Sequence, residues 1–76
     1  MCLTEIKRGE TVNLVRIDDE ETRTQFIRFG ISEGSRIRCL ERIPFGPFML
    51  CYNNQEMAIG REAARSIFVK KGGCNE

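Results

Sequence analysis

The sequence predicts a mostly-β protein, a small antiparallel barrel with a short helix between the first two strands and a one-turn helix before the last strand. Three observations lead to this fold class. The chain has 76 residues, enough for one domain with a small core. The apolar segments 48–52 and 55–59 flank an Asn-Asn dipeptide, which is typical of a tight β-hairpin. A segment with an acidic start at Asp18 and a glycine stop at Gly30 has the pattern of a short helix.

The chain is expected to enter the fold through a helical turn and a bulged strand. Leu3–Gly9 resembles one turn of helix with Thr4 as its cap and a glycine at its end. Thr11–Ile17 follows as a strand, but its apolar residues do not alternate strictly. A bulge near Val15 and Arg16 would move the inward face by one residue.

The start of the predicted helix is marked by a run of four acidic residues. Asp18 can cap the free amides of the first turn, while Glu21 reaches back to the main chain of the cap. The acidic run also lies at the positive end of the helix dipole, which stabilises it. We therefore expect Asp18 to be the N-cap.

The apolar side chains of this helix are concentrated in its C-terminal turn. Gly30 can adopt the left-handed conformation that terminates a helix, and Ile31 then folds back onto Phe26. Phe26 and Phe29 share a face, which Ile27 widens. The helix should therefore press its C-terminal end against a small sheet.

The second strand and the hairpin give the clearest inward faces. In the strand from Ser35 to about Arg42, residues Ile37 and Cys39 should point inward and the intervening arginines outward. In the hairpin, a two-residue turn at 53–54 places Leu50 opposite Met57 and Phe48 opposite Ile59 on one apolar face.

The last part of the domain is predicted to be short. Arg61–Ser66 has the composition of a helical turn, and Ile67–Val69 that of a brief final strand. We assign residues 1–69 to one domain and Lys70–Glu76 to a flexible polar tail. This order of elements is that of an SH3-like barrel.

Composition excludes several classes of function. Twelve Lys and Arg against eleven Asp and Glu give a net charge of +1, so electrostatic binding of nucleic acid is not expected. No histidine is present, which rules out Ser/His and Cys/His catalytic pairs, and no glycine-rich phosphate loop is found. We expect a non-enzyme. The absence of a signal sequence or apolar span favours the cytoplasm.

The four cysteines are Cys2, Cys39, Cys51 and Cys74, and no two have Cys-x-x-Cys spacing. Reduced thiols are the first expectation. Contact of Cys2 with Cys74, by a disulfide or a metal, is an alternative. A symmetric homodimer could also bring Cys51 or Cys74 from two copies around one zinc or iron ion, but no required cofactor is indicated.

A partner-binding surface is the remaining candidate site. The loop Pro44–Pro47 contains two prolines, which interrupt strand pairing, and its Phe45 lies close to Met49. These two side chains could form an apolar contact patch, or they could complete the core. A polar rim for the patch would be formed by Arg36, Arg38 and Arg42.

From about Leu3 to Val69, the chain resembles the FeoA family, that of ferrous iron transport protein A. Four segments in this order and spacing carry the resemblance. The segments read Leu-Thr-Glu-Ile-Lys-x-Gly from residue 3, Phe-Ile-Arg-Phe-Gly-Ile-x-x-Gly from residue 26, Pro-Phe-Gly-Pro from residue 44 and Glu-Ala-Ala-Arg-Ser-Ile-Phe-Val from residue 62. The acid that the family usually has in the loop is missing between Gly46 and Pro47.

The resemblance implies a non-catalytic cytoplasmic accessory of bacterial ferrous iron uptake, which acts on a membrane permease that carries a cytoplasmic G-protein domain. A metal-sensing module, like the SH3-like C-terminal domain of iron-dependent repressors, is the alternative. A small nucleic-acid-binding barrel is the third hypothesis, which the charge disfavours.

Overall fold

The computed structural model describes residues 1–71. A 3₁₀ turn at Leu3–Glu5 precedes five strands and two helices. These are β1 (Thr11–Ile17), α1 (Glu20–Arg28), β2 (Arg36–Arg42), β3 (Phe48–Tyr52), β4 (Gln55–Ile59), α2 (Arg61–Ala64) and β5 (Ile67–Lys71). The mostly-β fold, with a helix between the first two strands and a one-turn helix before the last, is as predicted.

The five strands form a single antiparallel sheet in the order β4-β3-β2-β1-β5. Sixteen buried apolar residues, from every strand and from the 3₁₀ turn and both helices, make one core. Among residues 1–71 no ladder joins β4 to β5, so the barrel is open between its two edge strands. Neither helix in this part of the chain has the length or apolar character to cross a bilayer.

The irregularity predicted in β1 is present. The pairing of β1 with β5 shifts between Leu14 and Arg16, so that Val15 is the extra residue of a bulge. Val15 is exposed, whereas Leu14 and Ile17 are both buried. The bulge thus returns the inward face of the strand to Ile17.

The N-cap of α1 is Asp19, one residue later than predicted. Its carboxylate accepts hydrogen bonds from the Thr22 amide at 2.9 Å and the Thr22 hydroxyl at 2.8 Å, and these bonds lower the pKa of Asp19. Asp18 instead donates its amide to the Ser66 carbonyl and accepts from Arg16 Nε. The prediction that Thr4 caps the N-terminal 3₁₀ turn is also wrong. Thr4 lies inside that turn, and no side chain caps it.

The end of α1 has the predicted glycine stop. Gly30 has φ +83°, its amide donates to Ile27 O, and the Ile31 amide donates to Phe26 O, a Schellman motif. Phe26 and Ile31 are buried, but Phe29 is 39% and Ile27 64% exposed. The predicted apolar face of Phe26, Phe29 and Ile27 is therefore wrong in its breadth, because only Phe26 of the three is buried in the core.

The hairpin has the predicted register. Phe48 pairs with Ile59 and Leu50 with Met57, and all four side chains are buried. The turn is made by two asparagines at 53–54, both with positive φ.

The last strand is longer than predicted. β5 continues through Lys71, because Lys70 pairs with Asn13 and Lys71 with Val12. The proposed tail therefore begins inside a strand, and its residues 72–76 lie outside the described part of the chain.

Candidate partner-binding surface

The loop between β2 and β3, which we call the Phe45 loop (residues 43–47), is a fixed turn. The Gly46 amide donates to Ile43 O at 2.9 Å, with Pro44 and Phe45 at the two central positions. A Cβ at Gly46 would lie 2.8 Å from Ile43 Cγ2, so the turn closes tightly. The base of the loop is held because the Ile43 amide also donates to Pro47 O at 3.4 Å.

Phe45 lies at the tip of this turn in a backbone conformation that costs energy. Its φ is +59°, which L side chains other than Asn and Asp rarely adopt. Its side chain is 98% exposed, so no burial of the ring compensates for the strain. The alternative in which Phe45 completes the core is therefore wrong. A strained, fully exposed aromatic residue on a fixed loop is a feature of recognition sites.

Arg61 supports the loop from α2. Its guanidinium donates from Nη2 to Ile43 O at 3.3 Å and lies 5.3 Å from the centre of the Phe48 ring. Arg42 lies 5.9 Å from the same ring. The structure thus gives Arg61 a role that the sequence analysis missed, because no local pattern links α2 to a loop that precedes it by 18 residues. Ile43, 40% exposed, was missed as well.

The other predicted contact residues are spread along the sheet. Met49 is half-buried and pairs with Ala58 and Glu41, on the outer face of the sheet. Arg36 and Arg38 are exposed on the same face, but they lie about 20 and 13 Å before Arg42 along β2. Arg42 and Met49 thus adjoin the Phe45 loop on opposite faces of the sheet, because Arg42 pairs with the inward-facing Phe48 and Met49 with Glu41. Arg36 and Arg38 lie on a separate part of the sheet.

The cysteines of the described residues do not converge. Cys51 is half-buried on the outer face, between its cross-strand neighbours Arg38 and Glu56. Cys39 is buried, which raises the pKa of its thiol, and Cys2 Sγ donates to Ala64 O at 3.4 Å. No group of three or more Cys, His, Asp or Glu side chains within residues 1–71 could hold a metal ion. Cys74, the other predicted ligand, lies outside the described residues.

Comparisons with a family model and with solved structures both find similarity to FeoA proteins. A sequence model of the FeoA domain matches residues 1–71. A crystal structure of an iron uptake regulatory protein, FeoA, is similar with a TM-score of 0.83 and 27% identity, over 95% of this chain and 97% of that one. A search of the curated proteins found no match.

Two further solved structures share the fold. The solution structure of the FeoA protein from Chlorobium tepidum has a TM-score of 0.86 at 23% identity, over all of this chain and 74% of that one. A manganese-dependent transcriptional repressor has a TM-score of 0.82 at 29% identity, over 95% of this chain but only 41% of the repressor. The chain thus corresponds to one part of that regulator.

Proposed function

Because the chain belongs to the FeoA domain family, we propose that it is a non-catalytic cytoplasmic accessory of ferrous iron uptake, which docks on the membrane permease or its G-protein domain and modulates transport. The FeoA match over residues 1–71 is the observation that carries this proposal. This family is one of small accessory domains and is not known as an enzyme family.

The Phe45 loop supports docking as the mode of action. Its aromatic tip is held in a strained turn and contributes nothing to the core, so the ring is free to make a contact outside this chain. Arg42 and Met49 adjoin the loop on opposite faces of the sheet, so a partner that holds Phe45 would reach the cation on one face or the adaptable apolar side chain on the other. Arg36 and Arg38 would contribute only if the partner also covers the outer face of the sheet.

A pull-down with the cytoplasmic G-protein domain of the permease tests the proposal. Phe45→Ala should weaken capture by about tenfold or more, because an aromatic anchor contributes at least about 1.4 kcal/mol at the centre of an interface. Met49→Ala should have a smaller effect in the same direction. Ile27→Ala is the matched control, since Ile27 is an exposed apolar residue on α1.

The outcomes separate the surface from the function. Capture of the parent protein with no loss in Phe45→Ala and Met49→Ala would remove the Phe45 loop as the docking surface. No capture of the parent protein by the permease domain would contradict the docking itself. Equal losses in Ile27→Ala and Phe45→Ala would show that the assay reports general apolar adhesion.

A metal-sensing module is the second candidate, favoured by the similarity to the manganese-dependent repressor. It requires ligands that residues 1–71 do not assemble within one chain, so a second copy would have to share Cys51 or Cys74. Titration with Zn²⁺ or Fe²⁺, followed by ligand-edge absorption spectroscopy, tests this. Metal uptake that is lost in Cys51→Ser or Cys74→Ser would support the module, and no uptake by the parent protein would remove it.

A further inference from the structure

The two edges of the sheet differ in how their main-chain groups are satisfied. On β5, Met1 donates its amino group to Val69 O at 2.6 Å and accepts from the Val69 amide at 2.7 Å. Cys2 forms a bridge with Phe68 on the same edge. The N-terminal residues thus cover β5. On β4, no hydrogen bond outside the ladder with β3 involves the main chain of residues 55–59, within the described part of the chain.

The hairpin register identifies which groups of β4 point away from the sheet. A two-residue turn closes on a hydrogen-bonded pair, here Tyr52 with Gln55, and such pairs then alternate along the ladder. Met57 and Ile59 therefore direct their amides and carbonyls toward β3. The amides and carbonyls of Glu56 and Ala58 point outward, where a further strand would lie.

β4 lacks three of the features that protect edge strands, namely lysine, proline and a bulge. It contains neither lysine nor proline, and its five pairs with β3 run without a register shift. Of the two residues whose main-chain groups point away from β3, Ala58 carries only a methyl group. Another main chain can therefore approach this part of the edge. An open, regular edge of this kind is a template for strand addition.

We infer that the β4 edge binds an extended segment of the transport partner, which adds to the sheet as a strand and places a lysine or arginine beside Glu56. That the segment belongs to the transport permease rests on the proposed function. Glu56 is exposed and takes part in none of the ion pairs among residues 1–71. A cation on the added strand would therefore meet an unpaired carboxylate at cross-strand distance.

A second copy of this chain fits the same edge less well. Two β4 strands related by a twofold axis at Met57 would place Glu56 opposite Ala58 of the other copy, with no cation for either carboxylate. A strand of five residues also buries much less than the roughly 1,200 Å² that stable interfaces between folded proteins need. A flexible segment can add contacts elsewhere on the surface.

The Phe45 loop lies next to one end of this edge. Ile59, the last residue of β4, pairs with Phe48 at the start of β3, and Arg61 bonds to Ile43 in the loop. A segment that runs along β4 toward Ile59 would reach Phe45 without crossing the sheet. The edge and the loop can therefore engage the same partner.

The experiment combines main-chain variants with amide hydrogen exchange on the full chain. Ala58→Pro removes an amide that the β3–β4 ladder does not use, whereas the control Ala58→Val retains it. We expect Ala58→Pro to weaken binding of the permease domain by about fivefold or more and Ala58→Val to leave it unchanged. The Glu56 and Ala58 amides should exchange at least about tenfold more slowly when the domain is bound. Melting curves show whether Ala58→Pro is folded.

A defined peptide separates this inference from the proposed function. The peptide Thr-Val-Thr-Lys-Thr-Val-Thr should protect the Glu56 and Ala58 amides, and its counterpart with a central glutamate should protect them less. In Glu56→Lys this preference should reverse. If the permease domain does not bind, the proposed docking fails. Protection by the lysine peptide still shows whether the β4 edge binds an extended strand.

Three results would overturn the inference. The first is binding of the permease domain without protection of either amide. The second is failure of the lysine peptide to protect the Glu56 and Ala58 amides of the parent protein. The third is protection in the parent protein alone that rises with its concentration, which would identify a second copy as the occupant.

Discussion

Replacing Phe45 by glycine should make the protein more stable, although it removes a large aromatic side chain. A left-handed conformation costs an L residue about 1–2 kcal/mol, and glycine adopts it freely. The ring is 98% exposed, so its removal forfeits almost no buried apolar surface. The opposing term is the greater freedom of glycine in the unfolded chain, about 0.5–1 kcal/mol. The net gain is therefore about 0.5–1 kcal/mol.

Thermal unfolding measured by circular dichroism tests this value. For a domain of this size the gain corresponds to a rise in Tm of about 2–8 °C. Phe45→Ala is the matched control, because it removes the ring and keeps the strain, and its Tm should equal that of the parent. A glycine variant no more stable than the alanine variant would refute the reasoning. Both variants should lose partner binding, which would show that stability is given up for recognition at this residue.

The core and the helix of the protein give further tests. Phe26→Ala should lower the free energy of unfolding by about 3–5 kcal/mol in urea denaturation, while Ile27→Ala, on the exposed face, should change it by less than about 0.5 kcal/mol. Gly30→Val should cost more than about 1 kcal/mol, because a β-branched residue is strained at φ +83°, and an unchanged Tm would contradict this. The lowered pKa of Asp19 contributes stability that is present above its unfolded value of 3.8 and lost as pH falls through the folded value, so Asp19→Asn should flatten Tm against pH in that range. Cys39 should stay unlabelled by a thiol reagent in native protein at pH 8 and react after denaturation, as mass spectrometry of the peptides can show.

The amino-acid sequence alone determined those features of the fold that depend on neighbouring residues. The hairpin register follows from two asparagines in the turn and from apolar side chains at alternate positions, so Leu50 and Met57 could be paired correctly. The stop of α1 follows from Gly30 and from the apolar residue after it. The bulge at Val15 was visible as a break in the alternation of β1. Each of these rests on interactions that span a few residues.

The tertiary structure decided which competing local options were used and which side chains remained exposed. Asp18 and Asp19 are both capable caps, and Asp19 is used because the main chain of Asp18 is bonded to Ser66, 48 residues away in the sequence. The exposure of Phe45 and the bond of Arg61 to Ile43 in its loop depend on how β2, β3 and α2 meet. The β5 edge is covered by Met1 and Cys2, from the other end of the chain, whereas the β4 edge is open. Short-range patterns fix turns and registers because their energies are local, whereas the surface available to a partner is set by contacts between distant parts of the chain.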